Sequence, residues 1–136
     1  MIIVVRTLIK IVKLVLRSGR SRCGSNGLFT LLVFGICLGN QLLGKAAGAE
    51  VVKLKFGHRS QNQPVRRVGT TTCYITTQNH GYAIDTNTLG SDWEPMFENL
   101  NDASNEGIRH KSKPFFSIQF QPDGVEFLFD EFIKML

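Results

Sequence analysis

The chain has 136 residues, 43% hydrophobic and 20% charged, which suits one small domain with one core. Its net charge of +5 is uneven: residues 1–49 carry seven Lys or Arg and no acid, whereas residues 50–136 carry nine bases against eleven acids, a net of −2. That distribution excludes a basic nucleic-acid-binding domain, and three cysteines without metal-ligand spacing exclude a disulfide scaffold and indicate a reducing compartment.

The chain opens with MIIVVRTLIKIVKLVLRSGRSRC, in which Arg6, Lys10, Lys13 and Arg17 recur at spacings of four, three and four. This pattern predicts a helix with one basic face among Ile, Val and Leu. It is too charged to span a membrane, which takes about 20 largely apolar residues. An acid-free, Arg-bearing start resembles an organelle transit peptide or, less favoured, a helix lying on a membrane surface. An ordinary helix packed on a sheet and a mis-assembled gene are the plainer readings. Residues 1–32 are therefore set apart as a basic amphipathic segment with its linker, and residues 33–136 form the domain. The expected location is cytoplasmic, with the mitochondrion as the alternative if the first segment is a targeting signal.

After the glycine-rich break SGRSRCGSNG, the run LFTLLVFGI is a continuous apolar stretch of strand length, suited to burial on both faces of a parallel sheet. NQLLGKAAGA follows at helical spacing. VVKLKFG alternates as a half-buried strand, GHRSQNQPV is predicted as a loop, and CYITTQ as a short strand ending at the polar corner NHGY. WEPMFENLND and EGIRHKSKPFFSIQF are predicted as strands joined by turns. The C-terminal EFLFDEFIKML is predicted as an amphipathic helix with Phe129, Phe132, Ile133 and Leu136 on one face.

Cys37 stands between the apolar run and the helical stretch, with Gly35 and Gly39 on either side. A nucleophile in a tight strand-to-helix turn is a nucleophile elbow. The glycines leave room for the turn, and the turn is expected to expose the thiol. The helix N-terminus favours thiolate, and the N–H of Leu38 is available as an oxyanion donor. A buried structural cysteine is the competing interpretation of the same local pattern.

FGICLGNQLLGKAAGA, QNQPV, ITTQNHGYAID, NEGI, SKPFFSIQF and EFLFDEF occur in one order from about Val33 to Leu136. Together they closely resemble the glutaminase subunit or domain of carbamoyl-phosphate synthase, in the class I glutamine amidotransferase family. The resemblance implies an α/β, flavodoxin-like domain that hydrolyses glutamine through a cysteine thioester. It implies delivery of ammonia to a synthetase subunit or domain for carbamoyl phosphate, in pyrimidine or arginine synthesis. It implies no cofactor or metal in this component, L-glutamine and the large subunit as partners, and no nucleic acid. Carried over residue by residue, it makes Cys37 the nucleophile and Leu38 the oxyanion donor, with Gln41, Asn79, Gly81 and Tyr82 on the substrate glutamine.

The family's His-Pro-Glu segment reads Gln121-Pro122-Asp123 here. Gln121 occupies the histidine slot and Asp123 the glutamate slot. A glutamine side chain has no titratable nitrogen, so it can neither take the thiol proton nor activate the hydrolytic water. Losing such a group typically costs on the order of 10⁴- to 10⁶-fold. His58, His80 and His110 offer no evident replacement. The resemblance also implies a longer link before the last helix, where only Gly124 and Val125 intervene, so a strained loop or a displaced helix is expected. It further implies strands ahead of the elbow that this chain does not match, so the apolar run is expected to form an exposed sheet edge. The expectation is a partial, degenerate domain, either a weak or inactive glutaminase or a non-catalytic glutamine- or synthetase-binding pseudoenzyme, with a truncated gene product as the remaining alternative.

Overall fold

The computed structural model of the chain describes residues 2–5, 14–20 and 29–134. Its strands are β1 (Ile2–Val5), β2 (Leu14–Arg20), β3 (Phe29–Ile36), β4 (Val51–Arg67), β5 (Cys73–Ile84), β6 (Trp93–Asn99), β7 (Asn105–His110) and β8 (Phe115–Ile118). Two α-helices, α1 (Leu38–Ala46) and α2 (Phe127–Lys134), and a 3-10 turn at Thr86–Thr88 complete the described structure. The strands make one sheet in the order β1-β2-β3-β8-β7-β6-β4-β5. The pair β3/β8 is parallel, and the other described pairings are antiparallel. The sheet is therefore mixed, with a single parallel step where the chain enters α1.

The N-terminal helix expected from the basic spacing is not what residues 2–5 and 14–20 form. Both are strands, as their Ile, Val and Leu content favours on a pleated surface. Of the four basic residues, Arg17 lies in β2, while Arg6, Lys10 and Lys13 lie outside the described residues. The exposed edge expected at β3 is absent for the same reason: β2 pairs along it from Val15↔Phe34 to Arg20↔Phe29. Ser25, Asn26 and Gly27 are outside the described residues.

β3 is buried on both faces, as a continuous apolar run predicts: Leu32, Val33, Phe34 and Ile36 are all buried. Phe34 stacks on Phe116 at a centroid distance of 4.5 Å and meets Phe129 edge-on at 5.3 Å. Val65, Phe97, Ile118, Phe120, Val125 and Leu128 close this core, and a second cluster gathers Ala49, Ile84 and Ile108 with Trp93 and Leu89 at its rim.

Two expected loops are strand. GHRSQNQPV lies inside the 17-residue β4, and the NHGY corner inside the 12-residue β5. Their turn-forming residues produce register shifts between Lys53 and His58 and between Ser60 and Gln63 instead of chain reversals. Gly57, at φ +70°, sits at the first of these; a Cβ there would lie 2.7 Å from the His80 carbonyl oxygen.

The short link into α2 is unstrained. Gly124 takes the turn at φ +81°, in open space where a Cβ would meet nothing within 4 Å, and Val125 N–H bonds Pro122 O at 3.0 Å. Val125 and Leu128 are fully buried, and Arg67 pairs with Glu131 at 3.1 Å, so the helix is docked on the core. Its buried face differs from the expected one: Leu128 leads it with Phe127 and Phe129 beside it, and Ile133 is exposed. The Phe132 side chain and Leu136 lie outside the described residues.

Candidate active site

Cys37 links the end of β3 to the first turn of α1. Its N–H donates to Ile118 O at 2.8 Å, and its own carbonyl accepts from Asn40 N at 3.0 Å. The backbone there has φ 55° and ψ −107°, and Cys37 and Ala103 are the only non-glycine residues of positive φ among the described residues. A side-chain-bearing residue in that region costs of order 1–3 kcal/mol and persists only where its surroundings impose it. The imposition is visible at Gly35, where a Cβ would lie 2.6 Å from Gly39 O. Strand and helix thus touch backbone to backbone, and Cys37 absorbs the turn.

One expectation about the elbow is corrected. The thiol is not exposed, because Cys37 is 5% accessible and belongs to the main core cluster. Gln119, itself buried, extends its amide N–H to the sulfur at 3.7 Å. The Gln119 carbonyl oxygen accepts from Asn40 Nδ2 and Gln41 Nε2, each at 3.2 Å. Ser117 Oγ donates to Asn40 Oδ1 at 2.7 Å. The sequence pattern does not single out Asn40, Ser117 or Gln119; Gln119 lies two positions before the substituted histidine slot, and only the fold turns it onto the thiol.

The other candidate residues are brought together unequally. Gln41 Nε2 also reaches Tyr82 O at 3.4 Å, tying α1 to β5. Asn79 and Gly81 lie on β5 beside Tyr82, Asn79 exposed and opposite Arg59. Leu38 is 41% exposed at the start of α1. Gln121 is half-buried and is held next to β5 by its N–H to Thr77 O at 2.9 Å. Asp123 is exposed in the turn that follows.

The histidines are committed elsewhere. His110 Nδ1 accepts from the N–H groups of Ser112 and Lys113 at 3.1 and 3.0 Å. His58 and His80 face each other at 5.0 Å between ring centroids inside a buried polar cluster. His58 Nδ1 lies 3.1 Å from Glu106 Oε1 and 3.0 Å from Gln78 Oε1, and its Nε2 lies 2.9 Å from Asp102. His80 Nδ1 meets Tyr82 O and Nε2 meets Gln78 Oε1, both at 2.8 Å. The hydrogen bond to Glu106 is the main cause that raises the His58 pKa to about 9, against burial and with help from Asp102. Burial pushes the His80 pKa down, outweighing the nearby Glu106 charge. Ligand-type atoms of His58, His80 and Glu106 all lie within 4.8 Å of one another.

The raised His58 value carries a stability prediction for the chelator-treated protein. Its folded pKa exceeds its unfolded value, so its contribution is fully present below about pH 6.5 and is lost as pH rises through about 9. Urea midpoints are expected to fall across that window, and Glu106→Gln, which removes the main partner, should flatten the fall. Equal slopes in the two proteins would refute the assignment.

The sequence profile of the family described as "Glutamine amidotransferase class-I" matches residues 28–135. The chain belongs to the class I glutamine amidotransferase family. The amidotransferase chain is 54% identical over 110 residues to the carbamoyl phosphate synthase arginine-specific small chain of Debaryomyces hansenii, covering 76% of this chain and 26% of that protein. It is 55% identical over 108 residues to the multifunctional protein URA2 of Saccharomyces cerevisiae, covering 75% of this chain and 5% of that one. It thus spans about a quarter or less of these relatives. Among solved structures, a Thermoplasma acidophilum protein assigned to GMP synthase superposes with a TM-score of 0.67 at 24% identity, covering 76% of this chain and 56% of that chain. That likeness supports the partial amidotransferase fold.

Proposed function

We propose that this chain is a glutaminase component of carbamoyl-phosphate synthase whose turnover is impaired. The observation that carries the reading is the elbow: a cysteine at φ 55° between a buried strand and a helix, with Gly35 in backbone contact with Gly39. In this reading the Cys37 sulfur attacks the side-chain amide carbon of glutamine, and the Leu38 N–H stabilises the oxyanion. Gln41, Asn79, Gly81 and Tyr82 hold the substrate. Ammonia leaves, and the Cys37 thioester is then hydrolysed. Both steps need a proton carrier, and Gln121 supplies none. The ammonia acceptor is a synthetase subunit or domain, in keeping with the name of the relative at 54% identity, the small chain of a carbamoyl phosphate synthase.

The expected result is slow glutamine-dependent ammonia release, at least about 10⁴-fold below an intact relative, together with stoichiometric labelling of Cys37 by a glutamine-like chloroketone. Labelling abolished by excess glutamine places the substrate at this cysteine. Release at the rate of an intact relative would refute the impairment, and no labelling at Cys37 would refute the site. A non-catalytic glutamine- or synthetase-binding role is the second reading, favoured by the 5% accessibility of Cys37; glutamine binding without acylation would select it.

A further inference from the structure

We propose that His58, His80 and Glu106 form a binding site for one divalent transition-metal ion, of which Zn²⁺ is the best match, pinning β4, β5 and β7 together. The first argument is convergence. His58 Nδ1, His80 Nε2 and a Glu106 carboxylate oxygen point into one buried space, with separations of 3.1 Å and 3.9 Å from Glu106 Oε1 to the two ring nitrogens. Two imidazoles and a carboxylate are a donor set that suits zinc.

The second argument is what stands behind each ligand. His58 turns its other nitrogen to the Asp102 carboxylate at 2.9 Å, and His80 turns its other nitrogen to Tyr82 O at 2.8 Å. An imidazole that donates N–H to a carboxylate or a carbonyl presents its opposite nitrogen as a lone pair, which is how metal-binding histidines are held. The third is buried charge. Glu106 is fully buried, and its Oε1, which faces both ring nitrogens and accepts from Asn99 Nδ2 at 3.0 Å, is the oxygen offered to an ion. Burying a carboxylate is expensive, and a cation at Oε1 offsets that cost.

Proton counting supports the same assignment. Thr76 Oγ1 donates to Gln63 O at 2.9 Å, so toward Gln78 it accepts, and the Gln78 NH₂ is oriented to it at 3.1 Å. The Gln78 carbonyl oxygen must then face the histidines, at 3.0 Å from His58 Nδ1 and 2.8 Å from His80 Nε2. His80 already uses its Nδ1 proton on Tyr82 O, so a neutral His80 sets a lone pair against that oxygen. A second imidazolium would relieve this contact but would place two cations 5.0 Å apart beside one Glu106 carboxylate. One metal ion relieves the His80–Gln78 mismatch, with Gln78 Oε1 available as a fourth ligand. Binding releases the His58 Nδ1 proton to solvent, and the way in passes Asp102, whose side chain is 43% exposed.

The site was not visible in the spacing of the sequence, since its ligands lie 22 and 26 positions apart on three strands. It does not depend on the glutaminase reading, and its test involves no turnover. Full-length chain stripped with chelator is titrated with Co²⁺ and with Zn²⁺, followed by absorption and by metal content per chain. The expected result is one Co²⁺ per chain with the intense d–d absorption of a four-coordinate ion, displaced by Zn²⁺. Asp102→Asn, at a part-exposed position, is expected to weaken affinity by about 10- to 100-fold. Glu106→Gln should abolish the four-coordinate spectrum. Absence of a stoichiometric ion, a six-coordinate hydrated Co²⁺ spectrum, or affinity unchanged in both variants would each overturn the proposal.

Discussion

Gln121→His is expected to raise glutamine-dependent ammonia release by about 10²- to 10⁴-fold, the range a positioned general acid–base contributes, with all of the gain abolished by Cys37→Ala. The scaffold around the position supports a gain. The segment from Ile118 to Gln121 is fixed at three points: Cys37 N to Ile118 O at 2.8 Å, Gln119 N to Glu106 O at 2.8 Å and Gln121 N to Thr77 O at 2.9 Å. Gln119, two residues earlier, already reaches the thiol. A histidine at 121 is therefore delivered on a constrained backbone and not on a free loop. Its carboxylate partner would be Asp123, which is exposed and one methylene shorter than glutamate, so Asp123→Glu in the same chain should add a further gain. The measurement is steady-state ammonia release with glutamine as substrate, beside the rate of Cys37 alkylation against pH. A working histidine lowers the pH at which alkylation rises. A folded Gln121→His chain with unchanged release and an unchanged alkylation profile would show that position 121 does not serve the thiol.

The strand–elbow–helix unit was legible because its signals are local. A continuous apolar run, a cysteine flanked by glycines and a helical spacing lie within about twenty residues, and the structure returns them as β3, Cys37 and α1. The N-terminus misled because basic residues every three or four positions mimic a helix period, while Ile, Val and Leu between them favour strands: residues 14–20 pair with β3, and residues 2–5 pair with residues 14–20. GHRSQNQPV and NHGY misled because Gly, Asn and Pro mark bulges in a long antiparallel pair as well as turns, and only the partner strand distinguishes the two. The polar residues around the thiol were invisible for a different reason. Asn40 contacts Ser117 and Gln119 across 77 and 79 positions of sequence, and no short window of the chain contains that arrangement. The closed thiol follows from it, since Gln119 is brought over Cys37 by the parallel pairing of β3 with β8.

Gly35→Ala is expected to cost about 3 kcal/mol of stability, at the upper end of the usual range for overpacking a filled site. The added methyl would meet Gly39 O at 2.6 Å, Gly39 C at 2.7 Å and Ser117 Cβ at 3.1 Å. Two of these atoms are backbone, and the third belongs to a buried serine hydrogen-bonded to Asn40, so no rotamer change removes the overlap. Relief requires α1 to move away from β3, which stretches the Cys37 N–H to Ile118 O bond and the Asn40–Gln119 bond together. The thiol is covered by that same network, so the substitution should destabilise the fold and speed Cys37 alkylation in one step. Gly48→Ala separates this mechanism from a general loss of glycine. Gly48 has φ +82° and nothing within 4 Å of its Cβ position, so it should cost only about 1 kcal/mol from backbone strain and leave the alkylation rate unchanged. Denaturant midpoints measure the first effect and thiol labelling the second. If Gly35→Ala resembled Gly48→Ala in both, the contact between β3 and α1 would not be what holds Cys37 at its positive φ.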